Sequence, residues 1–543
     1  MKLIADYAAM LKKEFKGYNG SMLAKDLMAG VTVCAVALPL ALAFGVSSGA
    51  TASAGLITAI IAGLFMSVLA GGFYQISGPT GAMAAILTGL VAQYGMQGVF
   101  VATFLAGVLL LAAGILHLGR LTSFIPAPVI AGFTSGIAII IALGQVDNFF
   151  GVHSEGLNAI EKLASYGRLG FPVQLGALGI GLLVVGLMII YPKKWNGIVP
   201  SSLVAIIVAT VVCVAFKMDI AVVGEIPKTL LPDERLTLSA FDFSTVKALM
   251  APAVSIAMLG MIESLLCGAS AGRMTGKNLN SDQELVAQGV GNMLVPLFGG
   301  IPATAAIART SVAIKSGAVT RLAGVFHALG LLASMMLLSP LMSRIPLAGL
   351  AGVLMVTAWR MNEWETIRYW FKHHLKSSIV KFFVTMAATV IFDLTTAILI
   401  GVVVAVLIFV SKSSGLEVSA EDVEPARMGL DALPGAKYAS VVYLTGPLFF
   451  MTADSLHAGL EAVKDKHTVI LSMRGVPSID ITAVGVLDEY YRSCKAQGVR
   501  VLFASVQPSV YTYLNRTGFV EMAGENSFYT SVDKILLEQP TLG

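Results

Sequence analysis

Residues 299–317 read GGIPATAAIARTSVAIKSG and place one arginine, Arg309, in a run of apolar and small residues. A glycine pair and a proline stand just before that run. Glycine and proline interrupt regular helix, whereas the residues after them suit a helix interior. The stretch therefore predicts a short helix that begins inside an apolar region and carries a permanent positive charge near its start.

The chain around this stretch is apolar over most of its length. Of its 543 residues, 56% are hydrophobic and 13% are charged, against roughly 25% charged residues in soluble domains. Its mean hydropathy is +0.81. A bilayer-spanning helix needs about 20 apolar residues, and such runs recur from Ala29 to about Val410. The composition predicts a polytopic helical membrane protein embedded in lipid.

Fourteen apolar segments are candidates for membrane spans. They cover approximately residues 29–47, 53–70, 77–93, 97–116, 125–143, 173–191, 199–216, 247–268, 283–299, 304–316, 321–340, 344–358, 376–392 and 395–411. The third opens with SGPTGA, and the tenth is short and contains Arg309. These two segments are the least regular of the set.

Basic residues concentrate before the first segment and after even-numbered segments, which predicts an inner-membrane protein with both ends of the chain cytoplasmic. They are Lys12, Lys13, Lys16, Lys25, Arg120, Lys193, Lys194, Arg273, Lys277, Lys315, Arg321 and those of the loop at 360–378. The N-terminal stretch is basic and amphipathic and does not resemble a signal peptide.

Fourteen segments divide into two halves of seven, and an odd number per half inverts the second half relative to the first. Inverted repeats are a transporter architecture in which interrupted helices meet at a central site. The third segment of each half fits this pattern: GGFYQISGPTGAMAAIL begins at residue 71, and GGIPATAAIARTSVAI begins at residue 299. Each has a glycine pair, a proline, and then small residues that open a helix.

Two helix starts that face a shared space predict an anion site, because N-termini present free N–H groups and positive dipole ends. Arg309 adds a full charge, which is costly in a membrane and marks a functional site by default. Small residues would let a ligand approach the backbone, and they are Gly78, Thr80, Gly81, Ala303, Thr304, Ala305 and Ala306. The alternative is that Arg309 lies near the cytoplasmic end and extends to water.

Glu263 lies inside the eighth segment, in AMLGMIESLLCGAS. A carboxyl group at that depth is either paired with a cation or protonated. Pairing with Arg309 would close the site to anions, whereas protonation would free the arginine for substrate, so we expect Glu263 to couple protons to transport. A purely structural ion pair with Arg309 is the alternative.

The C-terminal part differs, since charged residues return from about Leu416 onwards. YASVVYLTGPLFF (438–450), HTVILSM (467–473) and VRVLFASV (499–506) predict strands, and amphipathic helices between them predict an α/β domain. This domain contains no glycine-rich phosphate loop and no group of residues that would form a catalytic nucleophile. In the chain as a whole, the cysteines and histidines are scattered and suggest neither a metal site nor a disulfide. We expect no cofactor, no enzymatic activity and, with a net charge of +4, no nucleic-acid partner.

The motifs together resemble the SulP (sulfate permease) anion transporters with a C-terminal STAS domain. The resemblance rests on AGVTVCAVALPLALAFGVSSG, ISGPTGAM, IPAPVIAGFTSGIAI, MIESLLCG, SDQELVAQGVGNMLVPLFGG, PATAAIARTSVAIKSGA and IPLAGLAGVLMVTAW, in the order of the family. It implies a cytoplasmic segment at 1–24, a transport domain at 25–412, a linker at 413–432 and a cytoplasmic STAS domain at 433–543. It also implies a 7+7 inverted repeat in which a core subdomain moves against a gate subdomain, in a homodimer.

In that family the anion lies between the starts of the third and tenth helices, framed by the first and eighth. Carried over to this sequence, the resemblance implies binding residues Pro39, Leu40, Gly78, Pro79, Thr80, Gly81, Ala82, Ala306, Ile307, Ala308 and Arg309, with Glu263 on the eighth helix. The first-helix residues come from the resemblance alone.

The substrate expected from the resemblance is a C4-dicarboxylate taken up with protons, and sulfate or bicarbonate/chloride is the alternative. Sodium-coupled bicarbonate members resemble the chain but have Asp and Thr where it has Glu263 and Cys267, and they lack Arg309. A thiol is a poor ligand for a hard cation. The departure argues against sodium coupling.

The STAS-like domain contains PSIDITAVGVLDEY, in which Thr482 matches a position that is phosphorylated in stand-alone relatives. Asp480, two residues earlier, makes an ordinary helix cap the other interpretation of this sequence. A cytoplasmic protein partner of this domain is also expected. The competing function, a membrane-tethered signalling or scaffold protein, does not account for the costly Glu263 and Arg309.

Overall fold

The computed structural model describes residues 2–119, 125–156, 159–192, 195, 199–392, 394–423, 438–463 and 465–538. The chain divides into two compact units, Met1–Val404 and Ala405–Gly543. Arg120, Lys193 and Lys194 of the predicted basic loops lie outside the described residues. So do residues 424–437, where the predicted linker meets the predicted C-terminal domain.

The first unit is helical, with two very short strands. Its elements are α1 (Lys2–Glu14), α2 (Gly20–Ser47), α3 (Ala52–Leu69), β1 (Ser77–Gly78), α4 (Gly81–Ile115), α5 (Ala127–Gly144), α6 (Val146–Phe150), α7 (Ala159–Leu169), α8 (Leu175–Ile190), α9 (Ser201–Ala215), α10 (Phe243–Thr275), α11 (Ser281–Leu294), β2 (Thr304–Ala305), α12 (Ile307–Lys315), α13 (Leu322–Met342), α14 (Leu347–Met361), α15 (Trp364–Lys372), α16 (Lys376–Ile391) and α17 (Leu394–Ser413), the last of which continues into the second unit.

Each of the fourteen predicted segments overlaps one of these helices. The third and fourth both fall on α4, which is broken by non-helical backbone at Gly95 (φ 65°, ψ −175°). Among the described residues, seven helices are long and apolar enough to cross a membrane, while α8, α9 and α14 are shorter apolar helices. The helical membrane architecture is confirmed, and the number of crossings stays a prediction.

Small residues set how closely the helices pack. A Cβ atom on Gly55 of α3 would lie 2.1 Å from the carbonyl oxygen of Ala41 on α2. Any side chain there would force the two helices apart, as in other close helix crossings in membranes. Helices α2, α3, α4, α10, α11 and α13 pack on one another, whereas α5 packs on α16 and α8 on α14.

The predicted amphipathic N-terminal segment forms α1, and its end is anchored by a buried ion pair. The Glu14 carboxylate accepts hydrogen bonds from the backbone N–H (2.7 Å) and Nε (2.8 Å) of Arg321. Both side chains are almost fully buried. Because a buried pair of this kind is costly to break, α1 is held against the start of α13.

Helix α10, which carries Glu263, has a well-defined start. The Asp242 carboxylate accepts hydrogen bonds from the backbone N–H of Thr245 and from the hydroxyl groups of Ser244 and Thr245. These hydrogen bonds favour the ionised carboxylate and lower the pKa of Asp242 to about 2. An ionised N-cap also complements the helix dipole, so the helix begins at a fixed residue.

The second unit is an α/β domain with a five-stranded sheet. After the end of α17 its elements are β3 (Glu417–Asp422), β4 (Ala439–Thr445), α18 (Ala453–Glu461), β5 (Thr468–Gly475), α19 (Ile481–Ala496), β6 (Arg500–Ala504), α20 (Pro508–Arg516), α21 (Phe519–Ala523), β7 (Phe528–Tyr529) and α22 (Val532–Glu538). The strands lie in sequence order; β3 is antiparallel to β4 and the other neighbours are parallel. The strands predicted at 438, 467 and 499 are confirmed as β4, β5 and β6.

Alternation along β5 explains the two apolar layers of this domain. Leu471 packs with Leu456 of α18 and Leu487 of α19, whereas its neighbour Ile470 packs with Ile535 of α22. Successive residues of a strand point to opposite faces. A continuous apolar run is therefore what a strand covered on both faces requires.

Candidate functional site

The two interrupted segments meet at a two-residue antiparallel ladder. Strand β1 pairs with β2 so that Ser77 lies opposite Ala305 and Gly78 opposite Thr304. The N–H of Ala306 also donates to the carbonyl oxygen of Ile76 (2.9 Å). Since α4 begins three residues after Gly78 and α12 two residues after Ala305, the ladder brings the two helix starts together.

The two helix starts are capped differently. Thr80, the N-cap of α4, accepts a long hydrogen bond (3.5 Å) from the N–H of Met83 through its hydroxyl group. Ala306, the N-cap of α12, has no side chain that can do this. Among the described residues, the first turn of α12 therefore lacks the side-chain cap that the first turn of α4 has.

Arg309 is the third residue of α12, and its side chain is 1% exposed. Its Nη2 donates to the carbonyl oxygen of Pro79, and its Nε and Nη1 are buried without a hydrogen-bond partner among the described residues. The alternative in which Arg309 extends to water is wrong for this structure. A buried guanidinium with two free donors is instead suited to bind an anion.

Close approach of Arg309 to the backbone depends on Gly78. A Cβ atom at Gly78 would lie 2.3 Å from Nη1 of Arg309, which is shorter than any tolerable contact. Glycine here therefore leaves room for the guanidinium beside β1.

Glu263 of α10 is partly buried and lies at the same junction. Its Oε2 accepts hydrogen bonds from the hydroxyl groups of Thr80 (2.9 Å) and Thr304 (2.6 Å). Among the described residues no ion pair joins it to Arg309, so the structural ion pair considered from the sequence is not formed. Arg309 instead donates to the backbone carbonyl of Pro79, and Glu263 accepts from the side-chain hydroxyl of Thr80, the next residue.

Small polar groups join the turn of α10 around Glu263 to β2 and, through Thr310 of α12, to the residue before β1. The hydroxyl oxygen of Ser264 accepts from the N–H of Ala305 (3.1 Å), and the thiol of Cys267 donates to the hydroxyl of Thr310 (3.2 Å). That hydroxyl also accepts from the N–H of Ile76 (3.0 Å). Sequence reasoning missed Ser264 and Thr310, although each is adjacent to a predicted site residue.

Helix α11 supports the irregular backbone before β2. The side-chain amide of Asn292 accepts from the N–H of Ala303 (2.8 Å) and donates to its carbonyl oxygen (2.9 Å). Gln288 donates to the hydroxyl of Ser77 (3.0 Å). Non-helical backbone at membrane depth requires such internal partners, and here they fix the ladder from behind.

The remaining predicted residues divide into buried and exposed ones. Pro39 and Leu40 are buried in α2, and Gly81 and Ala82 are buried at the start of α4. Ala306 is partly buried, whereas Ile307 and Ala308 are exposed. The contacts thus bring together Gly78, Pro79, Thr80, Glu263 and Arg309, and a role for Ile307 and Ala308 stays a prediction.

In the second unit, Asp480 is the N-cap of α19. Its carboxylate accepts from the N–H groups of Ala483 (2.9 Å) and Phe450 (2.9 Å). The helix-cap interpretation is therefore confirmed for Asp480. Thr482 is exposed in the first turn of α19, and its phosphorylation stays a prediction.

The helical fold, with two interrupted segments that meet beside a buried arginine, is that of a membrane transporter. A model of the sulfate permease family matches residues 23–388, and a model of the STAS domain matches residues 432–535. The chain belongs to the sulfate permease family and is a multi-pass anion transporter with a C-terminal STAS domain.

Individual relatives agree with this assignment. YvdB of Bacillus subtilis, which carries the name of a sulfate transporter, is 37% identical over 96% of this chain and 98% of its own. The bicarbonate transporter BicA of Picosynechococcus is 31% identical over 84% of each chain. These comparisons do not show the expected resemblance to dicarboxylate members.

Solved structures share the fold. The transmembrane domain of a cyanobacterial BicA superposes with a TM-score of 0.64 and 32% identity, over 72% of this chain and 98% of that one. The murine anion transporter Slc26a9, in the inward-facing state, gives a TM-score of 0.82 at 17% identity, over 96% and 92%. Because its sequence identity is low, the similarity to Slc26a9 shows a shared fold alone.

Proposed function

We propose that the chain is a secondary active transporter of a small inorganic oxyanion, sulfate or bicarbonate, which it moves by alternating access. The names of YvdB and BicA support this substrate class better than the C4-dicarboxylate expected from the sequence. Sulfate is the preferred candidate substrate, because the chain is more similar to YvdB than to BicA. Coupling to sodium is not part of the proposal, since Cys267 is hydrogen-bonded to Thr310 and a cation would be repelled by Arg309.

One observation carries the proposal, namely the two unpartnered donors of the buried Arg309 guanidinium. A planar guanidinium donates several N–H bonds to planar or tetrahedral oxyanions, and in Arg309 those of Nε and Nη1 are left open for such an anion. The free N–H groups at the start of α12 add positive potential at the same place. A small oxyanion would therefore complete the hydrogen bonds that the protein leaves open.

Glu263 is the proposed proton-coupling group. Two hydroxyl groups donate to one oxygen of its carboxylate, and this arrangement suits the ionised form. A proton on Glu263 would remove a negative charge from the neighbourhood of the anion. Binding of anion and proton would then be mutually favourable, which is the requirement for symport.

Counterflow in liposomes tests the proposal. Purified protein is reconstituted with unlabelled anion inside, and uptake of labelled sulfate, bicarbonate, chloride and succinate is measured with and without an inward proton gradient. We expect sulfate or bicarbonate to exchange fastest and the gradient to drive accumulation. Exchange of succinate alone would restore the dicarboxylate hypothesis, and no exchange of any anion would overturn the transporter assignment.

Location and assembly belong to the same proposal. We propose an inner-membrane homodimer with both termini cytoplasmic and a cytoplasmic protein partner for the STAS domain. Cysteine-accessibility labelling of α1 and of the STAS domain in intact and permeabilised cells would test the orientation. Labelling of either in intact cells by an impermeant reagent would contradict it.

A further inference from the structure

A large cavity opens between the ends of helices in the first unit. Its volume is about 560 Å³. It lies where α2, α5 and α16 end and where α10 begins, and part of α4 forms one wall. If the N-terminus is cytoplasmic, these helix ends lie on the outer side of the membrane. The cavity would then be open to the medium from which the anion is taken.

The cavity reaches the candidate site at Gly81, the first residue of α4. Thr80, the residue before it, donates to Glu263. Ile141 of α5 and Phe44 of α2 cover Gly81, since a Cβ atom there would lie 2.2 Å and 3.1 Å from their side chains. Apolar side chains therefore lie beside Gly81, where the cavity approaches the site.

The lining of the cavity contains one charged side chain among the described residues, that of Lys162 on α7. Its polar residues are Ser47, Thr88, Gln93, Gln145, Lys162 and Ser255. None of the described lining residues is acidic. A cleft lined by one sign of charge concentrates ions of the opposite sign.

Two acidic groups near α7, those of Glu155 and Asp147, have partners of their own. Glu155 forms an ion pair with Arg168. Asp147 accepts hydrogen bonds from Ser154 (2.6 Å) and Tyr166 (2.7 Å), and burial together with the second bond raises the pKa of Tyr166 to about 12. Glu161 adjoins Lys162 in sequence but does not line the cavity. Lys162 is therefore the charged residue, among those that the structure describes, that lines the cavity.

We infer that Lys162 forms a recruitment site for the transported anion, distinct from the site at Arg309 and reached before it. Its ammonium group attracts a hydrated oxyanion into the cavity, where the amide and hydroxyl groups of the lining replace part of the hydration shell. Its effect lies in the rate of capture and hence in KM, because the anion leaves Lys162 before it reaches Arg309. The inference rests on the proposed anion transport.

Initial rates of sulfate and bicarbonate counterflow in liposomes, at low and high ionic strength, test the role of Lys162. We expect Lys162→Gln to raise the KM of the anion that exchanges about threefold to tenfold at low salt, with kcat little changed. The difference should shrink at high salt, which screens the attraction. Lys228→Gln is the matched control, since Lys228 is exposed in a loop expected on the same side and does not line the cavity.

Charge replacement at the same position makes the test independent of folding. Lys162→Cys is treated with a cationic or an anionic impermeant methanethiosulfonate; the four native cysteines are buried. The cationic adduct should restore the low KM, whereas the anionic adduct should raise it further. Equal KM values for both adducts, the wild type and Lys162→Gln would overturn the inference alone. Failure of the wild type to exchange any anion would overturn the proposed function, and the inference with it.

Discussion

The starts of α4 and α12 share a backbone plan and differ in chemistry. Each follows one strand of the ladder and begins at the same junction. The start of α4 has a side-chain cap, Thr80, and no charge, whereas that of α12 has the uncapped Ala306 and the buried Arg309. The two starts therefore share a ladder, while the residues that differ between them, Thr80 against Ala306 and the buried Arg309, carry the charge that we propose to select the anion.

The largest expected effect is at Glu263, which contacts the threonines before both helix starts. Glu263→Gln should abolish gradient-driven accumulation but preserve counterflow, because an amide still accepts the threonine hydrogen bonds and cannot carry a proton. Uptake with and without a pH gradient measures this. Glu234→Gln, in an exposed loop, is the control, and full accumulation by Glu263→Gln would show that another group couples the proton.

Replacement of Arg309 tests directly whether the charge at the start of α12 contributes to anion binding. Arg309→Ala should weaken anion binding about tenfold to a hundredfold, the equivalent of roughly 1.5–3 kcal/mol for charge-assisted hydrogen bonds. Arg309→Lys should recover part of this loss. Titration calorimetry of the detergent-solubilised protein gives the affinity, and thermal unfolding shows whether the variants fold.

Lys315→Ala removes an exposed charge from the other end of α12 and serves as the matched control. Well-folded Arg309→Ala that binds sulfate as tightly as the wild type would place the anion elsewhere. Poor folding of Arg309→Ala, rescued by adding Glu263→Gln, would favour a structural role for the pair despite the absence of a direct contact.

Gly78→Ala should have a smaller effect on affinity, about tenfold, because its methyl group would displace the guanidinium from Pro79 without removing its charge. Overpacking of this kind costs about 1–3 kcal/mol. Gly186→Ala, where a Cβ atom meets open space on α8, is the control. Equal affinities of the two variants would mean that the close approach of Arg309 to β1 is not needed for binding.

Ala306→Ser would make the two helix starts more alike. A serine at an N-cap accepts from the first-turn N–H groups and stabilises a helix by about 1 kcal/mol. The same N–H groups would then be less available to the anion, so we expect a rise in the thermal midpoint and a loss of about twofold to fivefold in affinity. Tighter binding by this variant would contradict a role for the uncapped start of α12.

The smallest expected effect on selectivity comes from the second unit. Deletion of residues 420–543 should lower activity or abundance and leave the order of anion preference unchanged, because the helix starts lie in the first unit. A competition panel in liposomes compares the truncated and full chains. A changed order of preference would mean that the helix starts do not determine selectivity alone.

The sequence predicts the meeting of the third and tenth segments, because the glycine pair, the proline and Arg309 are local signals. It does not predict the partner of Glu263. Pairing with Arg309 is the simplest expectation for two opposite charges in lipid, yet the hydroxyls of Thr80 and Thr304 and the carbonyl of Pro79 provide nearer partners. Such competition depends on distances that only the folded chain defines.

Helix geometry explains a second limit of sequence reasoning. Ile307, Ala308 and Arg309 are consecutive in the family motif, but successive residues of a helix are rotated by about 100°. Arg309 therefore faces the ladder while Ile307 is 46% exposed. Consecutive residues of the motif therefore differ in burial, and a role for Ile307 and Ala308 in binding stays a prediction. The number of membrane crossings is limited in another way, since helices as short as α12 do not span a bilayer by length alone.

The ladder between β1 and β2 also constrains how the protein can move. Its hydrogen bonds, together with those from α10 and α11, tie the carboxylate, the guanidinium and both helix starts into one block. In the proposed alternating-access transport, we expect a block held by these hydrogen bonds to move as one unit, with the same geometry on both faces of the membrane. The proposed movement would then occur between α4 and α5, where Ile141 lies so close to Gly81 that a Cβ atom on Gly81 would be 2.2 Å from its side chain.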